Sequence, residues 1–358
     1  MKHPWQLFCD DFDFACNYIN QTLQDSPQAW LGKHGHFAIT LRQHAAIQKI
    51  LNNLNRNQLT GSHINQIRGL KFRVARINNH PNPFEHTMDD DFKNYTNDTI
   101  RSSREITLEM RGGIGDYIED LTLFIPWARE NDYKLNLKMA PNRIEIFKQI
   151  SKKVNCIQDI VHKQEHGLPS YAMRWWVNHY HPKIRLNEWA RDEMRRCTSS
   201  SHNKLLCCWK AEAFSDPYSG FSRSVPFHLV YKFYKKIKKI KPSASIIDIT
   251  AWEEHQIKTL QCIGITIINP REGGLSELIK TLNDHLAISI DTALIHLCAS
   301  NGSPGILIAP FTYDERWMEL LNRDGCYKKH IRFVQSKQYG RFDTIIRDLP
   351  DHIWQKKS

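Results

Sequence analysis

The sequence predicts an α/β protein in which two parallel α/β domains follow a helical N-terminal region. Two runs of alternating strand and helix patterns support this prediction, the first beginning at Glu105 and a more regular second one at Leu205. Strands that alternate with helices are typical of parallel sheets. Hydrophobic residues make up 41% of the 358 residues, which is enough for ordinary cores and excludes wholesale disorder.

Residues 1–104 are predicted to form a helical N-terminal region. Residues 43–55 carry apolar side chains at the three- and four-residue spacing of an amphipathic helix. Residues 80–99 are polar, with two prolines and the acidic run at 89–91, and this composition predicts a surface linker. No role for this region follows from its sequence.

The first α/β domain is predicted over residues 105–198. A strand at 106–110 leads into a glycine cluster and then into a helix with apolar residues at i, i+3, i+4 and i+7 from Leu121. Strands at 133–139 and 156–161 follow, with a helix over 141–150 between them. A segment at 195–203 with three consecutive serines marks the predicted linker to the next domain.

The second α/β domain is predicted over residues 199–358. Its strands are expected at 205–209, 245–249, 265–269, 287–290 and 305–309, with helices over 227–239, 253–262, 275–283 and 292–300 between them. Two facing sheets of this kind place a ligand cleft at the carboxyl ends of their strands.

Composition narrows the possible partners and the cellular compartment. The net charge of +11 favours anionic partners but does not choose among phosphates, nucleic acid and an acidic membrane surface.

Nine cysteines without a C-x-x-C pair argue against a secreted disulfide framework and a structural zinc site, so we expect free thiols in a reducing cytoplasm. The chain starts without an apolar signal core, and no stretch approaches the ~20 apolar residues of a spanning helix. We therefore expect a soluble or peripheral protein.

The first candidate motif is a glycine-rich turn between a predicted strand and a predicted helix. Gly112, Gly113 and Gly115 allow backbone amides to approach a ligand closely. Their spacing matches neither the dinucleotide-binding fingerprint nor a P-loop. Asp116 follows the last glycine and is a candidate general base. The alternative is an N-cap for the next helix, and spacing alone favours the cap.

The second candidate motif joins a buried strand to a helix. Asp291 and Thr292 stand at the junction, Ala293 comes next, and His296 follows about one helical turn on. Amides at such a helix N-terminus can bind a diphosphate, and His296 is expected to face the same cleft. The alternative, a capped helix with one satisfied histidine, carries equal weight before any family comparison.

The third candidate is a pair of cations. Lys210 follows a predicted strand, while Arg223 and Ser224 stand just before the next predicted helix, so the two cations are expected near one point. Two cations there suit an anionic ligand. The alternative is two solvated surface cations.

The helix predicted over 227–239 combines an apolar stripe, from Phe227 to Ile237, with many lysines. A face toward a membrane or nucleic acid is one interpretation, but a solvated helix face is favoured. Nucleic-acid binding would need exposed aromatic residues among the lysines, and this helix is expected to bury its aromatic residues.

Taken in order, these motifs resemble glycosyltransferase family 9, the heptosyltransferase-like group. The matching segments are GGIGD, WK, SRSVP, SIDTALIHLCASNGSPGILIAP and DERW. The last two segments resemble most the glycosyltransferase-like domain found in bacterial tetratricopeptide proteins. The resemblance spans residues 106–349, is strongest over 288–317 and is absent before residue 104.

The resemblance implies a GT-B fold, in which two Rossmann-like domains face a cleft. The first domain would bind the acceptor and the second the nucleotide-sugar donor, in an inverting reaction without a metal ion. The family's catalytic base maps to Asp116, its phosphate-binding cation to Arg223, and its donor segment to Asp291, Thr292 and His296.

The chain departs from the family patterns at three positions. Ala293 stands where heptosyltransferases usually have glycine, and Arg223 where they have lysine. Glu315 replaces the tryptophan of D-W-R-W, which belongs to the tetratricopeptide-linked group, in which the alanine is normal. These departures argue against a heptose as the transferred sugar, and they leave the expected fold unchanged.

The expected function is therefore that of an inverting glycosyltransferase. A catalytically silent GT-B domain that binds a nucleotide or a partner protein is the first alternative, and a basic nucleic-acid-binding protein is the second. We expect a nucleotide sugar as donor substrate, no further cofactor, no metal ion and no nucleic-acid partner. The acceptor is expected to be a glycan, a lipid-linked molecule or a protein. We expect a cytoplasmic location, which leaves room for peripheral contact at the inner face of the membrane.

Overall fold

The chain forms two separate parallel sheets with helices around them. The computed structural model describes residues 12–22, 43–53, 61–78, 80–141, 154–161, 167–189, 203–211, 223–268, 278–311, 313–338 and 341–354, with isolated positions between these ranges. Within them, every pairing of neighbouring strands is parallel. The predicted α/β class is confirmed. Most of the predicted serine-containing linker lies outside the described residues, so the domain boundaries stay predictions.

The N-terminal region is helical where it is described. Its elements are α1 (Phe12–Gln21), α2 (His44–Asn52), α3 (Gly61–Ile77), a 3₁₀ turn (Pro83–His86) and α4 (Asp90–Ser102). Side chains from α1, α2 and α3 share a small core around Ile19, Ile47 and Leu70. The helix predicted at 43–55 is confirmed as α2.

The prediction of a surface linker over residues 80–99 is wrong. This segment contains the 3₁₀ turn and most of α4, and Phe84 and Met88 are buried in the main core. Asp89 caps α4 by accepting the N–H of Phe92 at 2.9 Å. Aspartate at a helix N-cap and acidic residues in the first turn stabilise a helix start, so the acidic run marks a helix and not a loop.

The first sheet has four strands within the described residues, in the order β3-β2-β1-β4. They are β1 (Glu105–Glu109), β2 (Lys134–Lys138), β3 (Ile157–Val161) and β4 (Leu168–Pro169). Helix α5 (Ile114–Glu130) follows β1, and α6 (Ser170–Tyr180) follows β4. The three strands predicted here are confirmed, β4 and α6 were not predicted, and most of the helix predicted at 141–150 lies outside the described residues.

The second sheet has six described strands in the order β10-β9-β8-β5-β6-β7. They are β5 (Lys204–Cys208), β6 (Ser245–Asp248), β7 (Thr266–Ile267), β8 (Leu286–Ser289), β9 (Gly305–Ala309) and β10 (Ile331–Gln335). The five predicted strands are confirmed, although β7 is shorter than predicted, and β10 was not predicted.

The helices around the second sheet are α7 (Phe227–Ile240), α8 (Glu254–Gln261), α9 (Ala293–Asn301), α10 (Arg316–Asn322), α11 (Cys326–His330) and α12 (Asp343–Trp354). The helices predicted at 227–239, 253–262 and 292–300 are α7, α8 and α9. The helix predicted at 275–283 is described only from residue 278, and residues 278–282 are helical. Helices α10, α11 and α12 were not predicted.

The lysine-rich helix α7 packs its apolar side on the second sheet and on α12. Leu229 and Phe233 are buried there, whereas the predicted stripe residues Phe227 and Tyr231 are only partly buried. Two of its lysines bond to backbone oxygens, because Lys236 donates to Arg347 O at 2.7 Å and Lys238 to Ala244 O at 2.8 Å. This surface is therefore partly occupied by contacts within the chain.

One hydrophobic core connects the two sheets. It contains helix α5, which follows β1 of the first sheet, and helix α9, which follows β8 of the second sheet. Both helices are buried along most of their length. A helix that is apolar on nearly all sides is expected in such a central position. In the described part of the chain, no helix is long and apolar enough to span a membrane. The seven described cysteines are free thiols, as predicted.

Candidate active site

The two candidate loops, the glycine-rich turn after β1 and the Asp-Thr segment at the end of β8, lie where the strand order of their sheets reverses. In the first sheet β1 lies between β2 and β4, and in the second sheet β5 lies between β6 and β8. Open α/β sheets bind ligands at such switch points, beyond the carboxyl ends of the strands. The glycine turn (residues 111–116) follows β1, and the Asp-Thr segment (residues 289–293) begins at the last residue of β8. Sequence order alone did not show that both loops occupy switch points.

The glycine turn is closed by Asp116. Gly113 is the N-cap of α5, and its N–H donates to Asp116 Oδ2 at 2.5 Å. Asp116, the third residue of the helix, thus makes the return bond of a capping box, while Gly113 has no side chain to make the other bond. Gly112 has φ +96°, and a Cβ on it would lie 2.5 Å from the same oxygen. Glycine at 112 therefore provides both the left-handed backbone and the space for the carboxylate. Asp116 helps to cap the helix, but it is not the N-cap that spacing favoured.

Arg316, the first residue of α10, links the two candidate loops. Its Nη1 donates to Asp116 Oδ1 at 2.7 Å, and its Nη2 donates to both carboxylate oxygens of Asp291 at 2.9 Å. Burial lowers the pKa of the guanidinium, but the carboxylates of Asp291, Asp314 and Asp116 outweigh burial and hold that pKa well above its usual range. Arg316 therefore stays charged. It is bonded to two carboxylates, Asp116 beyond β1 of the first sheet and Asp291 beyond β8 of the second sheet.

Asp291 is a buried carboxylate held by cations. Its side chain is 5% exposed, and Arg223 Nη1 lies 3.3 Å from its Oδ2. Burial raises the pKa of Asp291, but Arg316, His296 and Arg223 together hold the pKa well below its usual range. The ionised Asp291 carboxylate offsets part of the positive charge of the Arg316 and Arg223 guanidiniums. An incoming anion would therefore compete with Asp291 for these two guanidiniums.

His296 lies inside the packing between the sheets. Its Nδ1 is 2.8 Å from the Tyr327 hydroxyl, and its ring stacks on Trp317 with the centroids 4.9 Å apart. Its Nε2 is 3.7 Å from Asp291 Oδ1, which is too far for a hydrogen bond. His296 is therefore buried and does not line an open cleft, and its Nε2 has no hydrogen-bond partner among the described residues, so the prediction of a satisfied histidine holds only for Nδ1.

The start of α9 combines a polar N-cap with a small first residue. Thr292 is the N-cap, but its side chain makes no capping bond, and its Oγ1 lies 2.8 Å from Ser289 Oγ instead. Ala293 is the first residue of the helix, and its Cα lies 3.5 Å from the position that a Cβ on Gly115 would take. The N-termini of α5 and α9 are thus packed against each other.

The cation pair is brought together by backbone contacts. Val225 donates its N–H to Trp209 O at 2.9 Å, and Ser224 Oγ accepts the N–H of Ala211 at 3.1 Å. These bonds place the backbone of Lys210 beside that of Ser224 and Arg223, as the sequence predicts. The Lys210 side chain is exposed, whereas Arg223 reaches Asp291. Most of the loop between them, residues 212–222, lies outside the described residues.

A buried ion-pair network continues from Arg316, whose Nη1 lies 3.9 Å from Glu119 Oε2, into the first domain and the N-terminal region. Arg174 of α6 pairs with Glu119 at 2.7 Å and with Asp120, and Arg76 of α3 lies 3.1 Å from Glu319. Burial raises the pKa of Glu119, but Arg174, Arg316 and Arg76 outweigh it and lower that pKa to about 2. Burial raises the pKa of Asp120 to about 6, against the opposing charge of Arg174.

Sequence reasoning missed this network, although one signal was available. Glu119 and Asp120 interrupt an otherwise apolar helix, which indicates that buried cations must face them. Arg316 stands inside the DERW segment, yet its partners could not be recognised from that segment alone. Within the described residues, no group of three or more His, Cys, Asp or Glu side chains is arranged to hold a metal ion.

A cavity of about 280 Å³ opens beside the glycine turn. It is lined by Gly112 and Asp116 after β1, by Ser170 and Tyr171 after β4, and by residues of the N-terminal region. Because β1 and β4 are the neighbours at the switch point of the first sheet, the cavity lies where a ligand of this domain is expected.

Comparison with known proteins finds no matching family model and no matching curated protein. Three solved structures resemble the chain in fold. A glycosyl transferase family 9 protein from Veillonella parvula DSM 2008 is 11% identical with a TM-score of 0.44, and the match covers 71% of this chain and 90% of that one. The ADP-heptose LPS heptosyltransferase II of E. coli is 8% identical with a TM-score of 0.46, over 71% and 100% of the two chains.

The third structure is the E. coli heptosyltransferase WaaC with ADP. It is 9% identical with a TM-score of 0.43, and the match covers 70% of this chain and 99% of that one. At these identities the similarity is one of chain fold, and at these TM-scores it says nothing about activity or ligand.

Proposed function

We propose that the chain is an inverting glycosyltransferase of the GT-B type, which moves a sugar from a nucleotide-sugar donor to an acceptor hydroxyl. The observation that carries the proposal is the convergence of Asp116 and Asp291 on Arg316. Each carboxylate lies at the start of a helix that follows a strand at the switch point of its own sheet. Two ligand-binding edges that meet at one point suit a reaction between two substrates.

The donor would bind at the second sheet. Arg223 can hold a phosphate through two parallel hydrogen bonds, and Arg316 can do so in exchange for its bonds to Asp116 and Asp291. The N-terminus of α9 adds backbone donors. Lys210, beside Ser224, can add a third positive charge. These groups would stabilise the charge of the leaving diphosphate, which is the part that a divalent cation plays in other transferases. On this basis we propose a reaction that needs no metal ion.

The acceptor would bind at the first sheet, with Asp116 as the general base. The Asp116 side chain is 42% exposed, so substrate can reach it. A carboxylate has about four acceptor positions, and the bonds to Gly113 and Arg316 take two of them. Each oxygen therefore keeps a lone pair that can accept a proton from a hydroxyl.

The proposed step is a single displacement. The acceptor hydroxyl gives its proton to Asp116, and its oxygen forms a bond to the anomeric carbon on the face opposite the diphosphate. The bond from that carbon to the diphosphate oxygen breaks, and the nucleoside diphosphate leaves with the electron pair. The configuration at the anomeric carbon is inverted.

One observation favours a second candidate, a catalytically silent GT-B domain that binds a nucleotide. Both oxygens of Asp116 already accept hydrogen bonds, at 2.5 Å from Gly113 N and 2.7 Å from Arg316 Nη1, so this carboxylate already has a structural role at the helix start and beside Arg316. This candidate predicts binding of the donor without turnover. The cytoplasmic location expected from the free thiols belongs to both candidates.

A donor screen tests the proposal and separates the two candidates. The melting temperature is measured with UDP-, GDP-, ADP-, CMP- and dTDP-sugars, since a ligand that binds the folded state raises it by mass action. Each stabilising donor is then tested for release of its nucleotide to water, with and without excess EDTA.

We expect one nucleotide class to stabilise the protein and its release to continue in EDTA. Stabilisation without release would support the silent domain. No stabilisation by any class would overturn the donor site, and loss of release in EDTA that Mn²⁺ or Mg²⁺ restores would overturn the metal-free mechanism.

A further inference from the structure

Two cavities adjoin at Tyr171, the second residue of α6. The smaller one, of about 280 Å³, reaches Asp116. The larger one, of about 480 Å³, lies over the start of α4 and is lined by Arg68, Thr87, Met88, Asp89, Asp91, Phe92, Tyr95 and Tyr171. Because Tyr171 lines both, the two cavities are neighbours, and together they are called the groove between the proposed base and the N-terminal region.

The far part of the groove is built from aromatic rings. Phe92 and Tyr95 stack with centroids 5.9 Å apart and 23° between the ring planes, and Phe92 also contacts Tyr171 at 6.2 Å. Tyr95 is 54% exposed, the highest value among the large hydrophobic side chains of the described residues that are exposed. An exposed ring beside other rings is a surface that a ligand can cover.

Planar charged groups surround these rings. Arg68 donates to Asp89 at 2.9 Å, and both side chains are partly exposed. The Asp91 side chain is exposed at the same cavity. Carboxylates and guanidiniums can each bond two neighbouring hydroxyls, and aromatic faces pack on the C–H faces of a sugar ring. Rings and planar charged groups together suit a ligand that is rich in hydroxyls and has apolar faces.

The groove is fixed to the candidate active site from two sides. Phe72 of α3 and Phe84 of the 3₁₀ turn line its smaller cavity. Helix α3 is tied to α10 by the bond from Arg73 to Glu315, at 2.6 Å. Glu315 directly precedes Arg316, so the N-terminal region is anchored next to the residue that joins Asp116 and Asp291.

We propose that the N-terminal region is part of the acceptor site, and that the groove from Asp116 across Tyr171 to Tyr95 binds a carbohydrate chain. The sugar that receives the transferred residue lies at Asp116, and a sugar further along the chain stacks on Tyr95. The placement of the accepting sugar at Asp116 rests on the proposed function. The presence of a sugar-binding groove does not. The charged lining of the larger cavity favours a glycan over an acyl chain.

The test is binding of the labelled full-length protein to a printed array of neutral, acidic and lipid-linked oligosaccharides, without any donor. Tyr95→Ala and Asp91→Asn are compared with the matched control Tyr180→Ala. Tyr180 is an exposed tyrosine at the other end of α6, and it does not line either cavity. Melting curves establish that all variants are folded.

We expect the parent to bind one set of oligosaccharides. Binding should fall about tenfold in Tyr95→Ala, which corresponds to about 1.4 kcal/mol, because the ring on which the sugar stacks is removed. It should fall in Asp91→Asn and persist in Tyr180→Ala. No oligosaccharide bound by the parent, or equal binding by Tyr95→Ala, would overturn the groove. Binding to the array without any stabilisation by nucleotide sugars would leave the groove standing and overturn the transferase, so the two failures are distinguishable.

Discussion

Gly115 of α5 lies directly against the imidazole of His296 on α9, and a Cβ on Gly115 would be 2.9 Å from His296 Cδ2. The ring cannot easily move away, because it is bonded to Tyr327 and stacked on Trp317. Two helices from different sheets therefore meet here without an intervening side chain. This contact sets the spacing between the glycine turn and the Asp-Thr segment.

Gly115→Ala is expected to destabilise the protein by about 1–3 kcal/mol, the usual effect of overpacking a dense core. Urea unfolding of parent and variant measures the difference. The matched control is Gly69→Ala in α3, where a Cβ would meet no atom within 4 Å. That substitution should stabilise the helix by ~0.5–1 kcal/mol because alanine loses less backbone entropy on folding. Equal stability of Gly115→Ala and the parent would contradict the close contact.

Asp116→Asn is expected to abolish transfer while donor affinity stays nearly unchanged. Asparagine can still accept the N–H of Gly113, so the helix start should survive, but it cannot take a proton from the acceptor. A general base typically supplies ~10²–10⁴-fold in rate. Turnover of the donor and titration of the free nucleoside diphosphate measure the two effects.

The control for Asp116→Asn is Glu109→Gln, which removes a neighbouring carboxylate that pairs with Arg111 and does not line the cavity. It should leave turnover unchanged. Near-normal turnover by Asp116→Asn would mean that Asp116 only helps to cap α5.

The sequence was a good guide to the sheets because their strands are short apolar runs between helices of clear periodicity. It was a poor guide to residues 80–99, since prolines and acidic residues are common both in linkers and at helix starts. The burial of Phe84 and Met88 against the first domain decides between the two, and burial by distant residues is not visible in a local pattern. Tertiary packing overrides local composition here.

The candidate site was predictable only in part. The glycine turn and the Asp-Thr segment are local patterns, so Asp116 and Asp291 could be singled out from them. Arg316 is different, because its partners Asp116 and Asp291 lie 200 and 25 positions earlier in the chain. Only the meeting of the two sheets brings these three side chains together.

Glu188 is expected to make stability depend on pH. Its Oε1 lies 2.6 Å from His330 Nε2, and this bond, against the opposing effect of burial, lowers the pKa of Glu188 to about 2 from an ordinary value of 4.5. A lowered carboxyl pKa stabilises the fold above pH 4.5, and this stabilisation is lost as the pH falls through 2. The shift corresponds to at most about 3 kcal/mol.

Urea unfolding of the parent and Glu188→Gln measures this contribution at pH 7, 5, 3 and 2. The parent should be more stable at pH 7, and the difference should shrink below pH 5 and nearly vanish at pH 2. Glu254→Gln removes an exposed carboxylate paired with Lys258 and should change stability by less than about 1 kcal/mol throughout. A difference for Glu188→Gln that does not vary with pH would exclude the ionic contribution.

Arg223→Ala is expected to weaken binding of the donor and of the free nucleoside diphosphate together. The Arg223 guanidinium lies 3.3 Å from Asp291 Oδ2, at the switch point of the second sheet, and a diphosphate placed there can replace the carboxylate as its partner. Losing a charged hydrogen bond of this kind costs roughly 1.5–3 kcal/mol, or about ten- to a hundredfold in affinity. Calorimetric titration of the nucleoside diphosphate measures the loss.

Two further variants sharpen the Arg223 prediction. Arg223→Lys keeps the charge without the two parallel donors, so it should recover part of the affinity. Arg347→Ala removes an exposed arginine that is paired with its neighbour Asp348, and it should bind as the parent does. A solvated cation at 223 would give no change beyond a few tenths of a kcal/mol. If Arg223→Ala binds the nucleoside diphosphate as tightly as the parent, the phosphate lies elsewhere, and Lys210 beside Ser224 is the next residue to replace.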